Sequence, residues 1–276
     1  MVKCATAESR WGMKRRNSLR FWVTPSFLGA AGTAALTAIA WSQSPEPLPT
    51  VEVVLNRYVQ ATGGAPALLR HKSMTIWSRT ENLTNHANVQ TVVYCANGKL
   101  LQKTTLPENK EFLAGYDGLT AWQIDGSGKV SIAHGDVVKT VARDADMYYH
   151  LHVLKYFRSM EVADSREFKG RACYHLKGVN NWGKLNEQFY DKENGLLLGY
   201  AFNTAWRGGK GDATVTFEDY KEFGGVLLPT KTTSRDGDAV SVDLVESVTF
   251  DDVADSVFTL PEAVRKAISA RGALSP

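Results

Sequence analysis

The sequence predicts a mainly β protein with helices, an α+β fold in which one large antiparallel sheet curls over a helical insert. Three observations predict it. From residue 73 onward the hydrophobic period is two, broken into short runs by Asn-Gly, Asp-Gly and Gly-Gly pairs, and such pairs between alternating runs are the strongest short hairpin signal. One stretch, 135–160, has no proline, no glycine after Gly135, and apolar residues at helical intervals. Several strands carry one apolar and one polar face. Ala213, Val215 and Phe217 oppose Thr214, Thr216 and Glu218, the pattern of an antiparallel sheet solvated on one side.

The elements follow in order. Residues 49–62 read as a helix, with Pro49 and Thr50 at its start and Val51, Val54, Leu55, Tyr58 and Val59 on one face. Gly63-Gly64 ends it, and 65–71 forms a further helical turn. Strands are expected over 73–80, 89–95, 99–105, 111–116, 119–125 and 129–133. The insert supplies one or two helices over 135–160. Strands resume at 161–168, 172–178, 185–191, 196–204, 212–220, 226–234 and 239–250, and a last helix is expected over 261–270, with proline in its first turn. A sheet of this many strands must curl or split. The insert is the natural element to cover its apolar face. No fixed-period repeat and no composition break occurs over 50–276, so one domain accounts for it.

The chain has 276 residues and a formal net charge of +3, unevenly spread. Six of the 32 basic residues but only one of the 29 acidic ones fall within 1–44, so the remainder is net negative. The basic balance belongs to the leader, which removes most of the case for nucleic-acid binding. Lys14, Arg15, Arg16 and Arg20 precede twenty uncharged residues, 21–40, that end in Ala38-Ile39-Ala40. A basic region, an apolar region and small residues at the exit make 1–40 a secretory signal peptide, with Met13 the better start. An uncleaved anchor is the alternative, since twenty residues just span a bilayer. Residues 41–49 read as an extended, proline-rich linker. Export implies an oxidising compartment, where Cys95 and Cys173 either form a disulfide or stay as two buried thiols on separate strands.

Catalytic and metal patterns are weak. His150-x-His152 sits in a segment of helical period, where positions two apart diverge, and zinc needs more ligands. Gly126-Ser127-Gly128 lacks the strand-to-helix setting of a nucleophile elbow. Gly208-Gly209-Lys210-Gly211 lacks the spacing of a phosphate loop and reads as a hairpin tip. No enzyme activity, cofactor or metal is expected.

Segments 55–64 (Leu-Asn-Arg-Tyr-Val-Gln-Ala-Thr-Gly-Gly), 116–122 (Tyr-Asp-Gly-Leu-Thr-Ala-Trp), 189–197 (Phe-Tyr-Asp-Lys-Glu-Asn-Gly-Leu-Leu), 217–221 with 225–229, and 258–261 (Phe-Thr-Leu-Pro) together resemble exported bacterial proteins of the LolA-like superfamily, the outer-membrane lipoprotein carriers. The resemblance runs in order over nearly all of 50–261. It implies an unclosed antiparallel β-barrel wrapped over helices, with a hydrophobic cavity for acyl chains, in a periplasmic protein. Trp77, Trp122, Val141, Tyr148, Leu151, Leu154 and Phe157 are then the cavity candidates. The expected partner is a lipid or an acylated lipoprotein, with transient membrane contact. The alternative is an envelope sensor whose curved sheet receives a protein segment.

Overall fold

A computed structural model describes residues 47–204 and 211–272. The expected signal peptide, most of the linker and the hairpin tip at 206–210 lie outside these residues. Thr50 caps the first helix, α1 (Val51–Ala61), its hydroxyl accepting from Val53 N. A second short helix, α2 (Gly64–Leu69), follows directly. Gly63, at φ +109°, makes the bend between them; a Cβ there would lie 2.2 Å from Gly225 O.

Among the described residues thirteen strands form one antiparallel sheet. Its first half runs β1 (Ser73–Asn82), β2 (Asn88–Ala96), β3 (Lys99–Thr105), β4 (Glu111–Tyr116), β5 (Ala121–Ile124) and β6 (Val130–Ile132). Its second half runs β7 (Phe157–Phe168), β8 (Arg171–Asn180), β9 (Leu185–Asp191), β10 (Leu197–Asn203), β11 (Asp212–Phe223), β12 (Val226–Asp236) and β13 (Ala239–Phe250). The spatial order is β6-β5-β4-β3-β2-β1-β13-β12-β11-β10-β9-β8-β7. Every strand therefore pairs with a sequence neighbour, except where β1 meets β13 in the middle. The Asn97-Gly98 turn places both residues at positive φ and sets Ala96 opposite Lys99, as a two-residue hairpin requires.

The two edge strands, β6 and β7, are consecutive in the chain, and the insert runs between them. It is less helical than its period suggests. Only α3 (Asp136–Asp144) is α-helical; two single turns of tighter 3₁₀ helix follow at Tyr149–Leu151 and Val153–Tyr156. The end of the expected helical stretch, from Phe157 to Met160, is already β7. Apolar residues at 3.6-residue spacing here mark a covering segment that packs by its side chains without a continuous helical backbone.

The sheet has two differently dressed faces. On the inner face α1 and the 3₁₀ turns pack with Leu176, Tyr190, Leu197, Tyr200 and Phe217, while Ala145 and Met147 pack with Met74, Val93, Cys95 and Leu100. On the outer face Phe258 and Val264, the latter from the last helix α4 (Glu262–Gly272), cover Ala96, Leu101 and Trp122.

Cys95 and Cys173 are both buried free thiols on separate strands, the second of the two readings open in the sequence. Cys95 lies on β2 and Cys173 on β8, with six strands of the sheet between them. That separation is far beyond the reach of an S–S bond.

Candidate functional site

The inner face beneath the insert is the candidate site. The insert packs on apolar clusters and meets the rest of the fold through Tyr148 and through its close, where Lys155 O and Tyr156 O accept from Asn181. The Tyr148 hydroxyl donates to His71 O at 2.6 Å. Asp146 holds the segment's own shape, accepting from Tyr148 N at 2.9 Å and from the Tyr156 hydroxyl at 2.7 Å. Arg143, largely shielded, and Asp144, buried, pair at 2.7 Å. The guanidinium lies 5.8 Å from the ring centres of Tyr149 and Trp182. Burial works against its charge, but Asp144, with Tyr149 and Tyr200, together more than offset this, so the Arg143 pKa moves up.

Tyrosines dominate the rest of the wall. Tyr58 meets Tyr190 edge-on at 5.6 Å and His150 at 4.9 Å; Tyr200 meets Phe217 at 5.3 Å. The Tyr190 hydroxyl donates to Gln188 Oε1 at 2.7 Å and the Tyr220 hydroxyl to Leu197 O at 2.7 Å. Burial raises the pKa of Tyr58, Tyr149, Tyr190, Tyr200 and Tyr220 above the ordinary 10. These rings are neutral hydrogen-bonding surfaces, not bases.

The candidates read from the sequence divide. Tyr148 packs against the cluster of Met74, Val93 and Leu100, and Phe157 joins that of α1, Tyr149 and Val153. Val141 and Leu151 are half-buried on the insert, but Leu154 is 41% exposed and points away. Trp77 and Trp122 lie on the outer face, so neither lines the inner one. Strand alternation decides this: Met74 and Ile76 point inward on β1, so Trp77 points outward. Trp122 lies flat over Gly115 beneath the α4 cluster. His150 is buried between Tyr58 and Tyr149 while His152 is exposed, so the two histidines do not converge.

Two features were missed. Asp144 and Asp146 read as an acidic pair on a solvated helix face, whereas tertiary packing buries Asp144 beside Arg143. The alternation Leu100-x-Gln102-x-Thr104 was visible, however, and it puts an amide and a hydroxyl on the inward face of β3.

No family model matches this chain, and no curated protein does. Solved structures do. A LolA superfamily protein from Nitrosomonas europaea superposes with a TM-score of 0.54 at 16% identity, covering 77% of this chain and 99% of that one. This chain has the LolA-like fold. An outer-membrane lipoprotein-sorting domain from Vibrio parahaemolyticus shares the LolA-like fold with a TM-score of 0.51 at 13% identity, covering 75% of this chain and 95% of that one. A DUF1329 family protein from Desulfovibrio piger matches at 0.54 and 12% identity, covering 76% and 97%. Within the LolA-like fold of this chain, no helix among the described residues is long and apolar enough to cross a membrane.

Proposed function

We propose that this protein is an exported, non-catalytic carrier that takes up the acyl chain of a lipid or lipoprotein on its inner sheet face. In this reading residues 50–276 act as one domain in the periplasm, after a cleaved signal and a linker. One observation carries the proposal: the cover of the inner face is a separate segment, continuous with the sheet only at its two ends and packed on it through apolar clusters. A cover of that kind exchanges places with a ligand more readily than a strand would. The lipoprotein-sorting description of the Vibrio neighbour supports it. Burying methylene groups gains roughly 0.8 kcal/mol each, so a sixteen-carbon chain offers on the order of 10 kcal/mol before ordering costs.

Titration with a fluorescent acyl probe that bears an uncharged head tests the reading. Wild type is expected to bind the probe. Leu151→Glu, at a half-buried position of the cover, abolishes uptake, and Leu154→Glu, on its exposed side, leaves it unchanged. Wild type that takes up no probe overturns the carrier reading and leaves capture of a protein segment as the use of this sheet.

A further inference from the structure

The inner face is not apolar throughout. Toward the end of the sheet formed by the close of β1 and β3 and the start of β2, polar residues replace the apolar ones in register. Ser78 on β1 opposes Thr91 on β2, which opposes Thr104 on β3. In the other direction Thr80 opposes Asp243 on β13, which opposes Thr232 on β12. Ser241 and Ser234 form the next pair along. The two rows are offset by two residues along β1, ending against Val245 and Val89, and step diagonally, as a polar band, across five adjacent strands beside the apolar end made by Met74, Val93, Cys95 and Leu100.

The band is linked internally, and its bonding is incomplete. Gln102 Nε2 donates to Thr104 Oγ1 at 3.1 Å, and Thr104 and Thr91 share a hydrogen bond at 3.0 Å. Gln102 is 4% exposed, yet its Oε1 has no hydrogen-bond partner. A buried acceptor left unpaired costs the full desolvation of the group, and buried polar atoms in native proteins usually find a donor. Asp243 accepts from the Thr80 hydroxyl at 2.6 Å. Burial nevertheless raises its pKa, with the Thr80 and Ser78 hydroxyls only partly opposing the rise. The basic residues of these five strands, Arg79, Lys99, Lys103, Lys231 and Arg235, all fall at the alternate positions, on the outer face. The band therefore presents acceptors and hydroxyls, with no cation on its own strands to neutralise an anion.

We propose that this band receives the polar head of an amphiphile, a head that donates hydrogen bonds and carries no negative charge, while its chain lies along the apolar end beneath the insert. The proposal rests on the carrier reading and names its substrate class. Gln102 Oε1 on β3 and the Asp243 carboxylate on β13, three strands apart, are alternative acceptors for hydroxyl or amide groups of the head. A carboxylate or phosphate head meets Asp243 instead and is disfavoured.

Isothermal titration of the purified chain at pH 8, with two ligands of equal chain length below their micelle concentrations, decides it. Monopalmitoylglycerol has a neutral diol head; palmitate has an anionic one. Wild type is expected to bind the glyceride at least tenfold more tightly. Gln102→Leu lowers glyceride affinity about fivefold and leaves palmitate unchanged. Asp243→Asn strengthens palmitate binding and brings the ratio toward one. Gln102→Met is the second substitution at that position, and melting curves establish that each variant is folded. Equal affinity of wild type for both ligands, or a ratio unmoved in folded variants, overturns the headgroup assignment while the carrier reading stands. Failure of both ligands to bind overturns the carrier reading, and this one with it.

Discussion

Burial sets the behaviour of single side chains on both faces of the sheet. Desolvation pushes the Cys95 thiol up to about 12, and the Cys173 thiol up to about 11. A thiol reacts as its thiolate, so both are inert at pH 8 while the sheet is folded. A chain beginning at residue 47 is expected to show close to zero reactive thiols in native buffer and two in denaturant, counted with a chromogenic disulfide. A count of zero in denaturant without reductant would restore the bridge. The Arg143–Asp144 pair makes a second prediction. Removing one partner of a buried ion pair leaves an uncompensated charge, at a cost of about 3–5 kcal/mol. Asp144→Ala is expected to lose that much in urea unfolding, and a loss below 1 kcal/mol would mean that the pair is solvated.

At the scale of elements, hairpins were the most legible part of the sequence. Asn97-Gly98, Gly224-Gly225 and Asp236-Gly237 each announce a turn, and the expected strand 99–105 matches β3 to the residue. Turn chemistry is local, so it can be read without knowing what packs above. The insert was not legible in the same way. Its apolar spacing speaks for one covered face, but the backbone there follows the sheet beneath it, and that surface is assembled from strands distant in sequence. The same limit misplaced Trp77 and Trp122: their size suited a cavity wall, but which face was inner depended on α1 and the insert. The α1–α2 corner yields the prediction at this scale. Gly63 sits against Gly225 O with positive φ, and the rigid backbone opposite cannot give way. Gly63→Ala is expected to destabilise by about 2–3 kcal/mol, lowering the melting temperature without changing the far-ultraviolet spectrum of the remaining fold.

For the whole molecule, carboxylates in two regions oppose each other in their pH dependence. On the outer face Arg166 binds Asp164, and His175 lies 3.2 Å from it, so the Asp164 pKa falls from 3.8 to about 2. Hydrogen bonds from the Lys72 backbone and the His71 ring lower that of Asp251. Groups depressed in the folded state contribute stability that is present above about pH 4 and is lost as pH falls through their folded values. Urea midpoints are expected to hold from pH 6 to 4 and to drop between pH 4 and 2. Asp243 runs the other way, since its raised pKa penalises folding as pH climbs past 3.8. Asp243→Asn should therefore gain more, relative to wild type, at pH 7 than at pH 3. An equal difference at both pH values would mean that this carboxylate is freely hydrated.

The strand order also bears on how the chain reaches this structure. The meander β1–β6 and the meander β7–β13 each assemble from near neighbours, and the one long-range closure is β1 against β13. Local pairings form quickly, whereas a distant one waits on loop closure. The two halves are thus candidate folding units, and the insert between them is a natural place to cut. Co-expressed fragments 47–134 and 135–272 should reassemble through the β1–β13 seam into a nicked protein with the intact sheet.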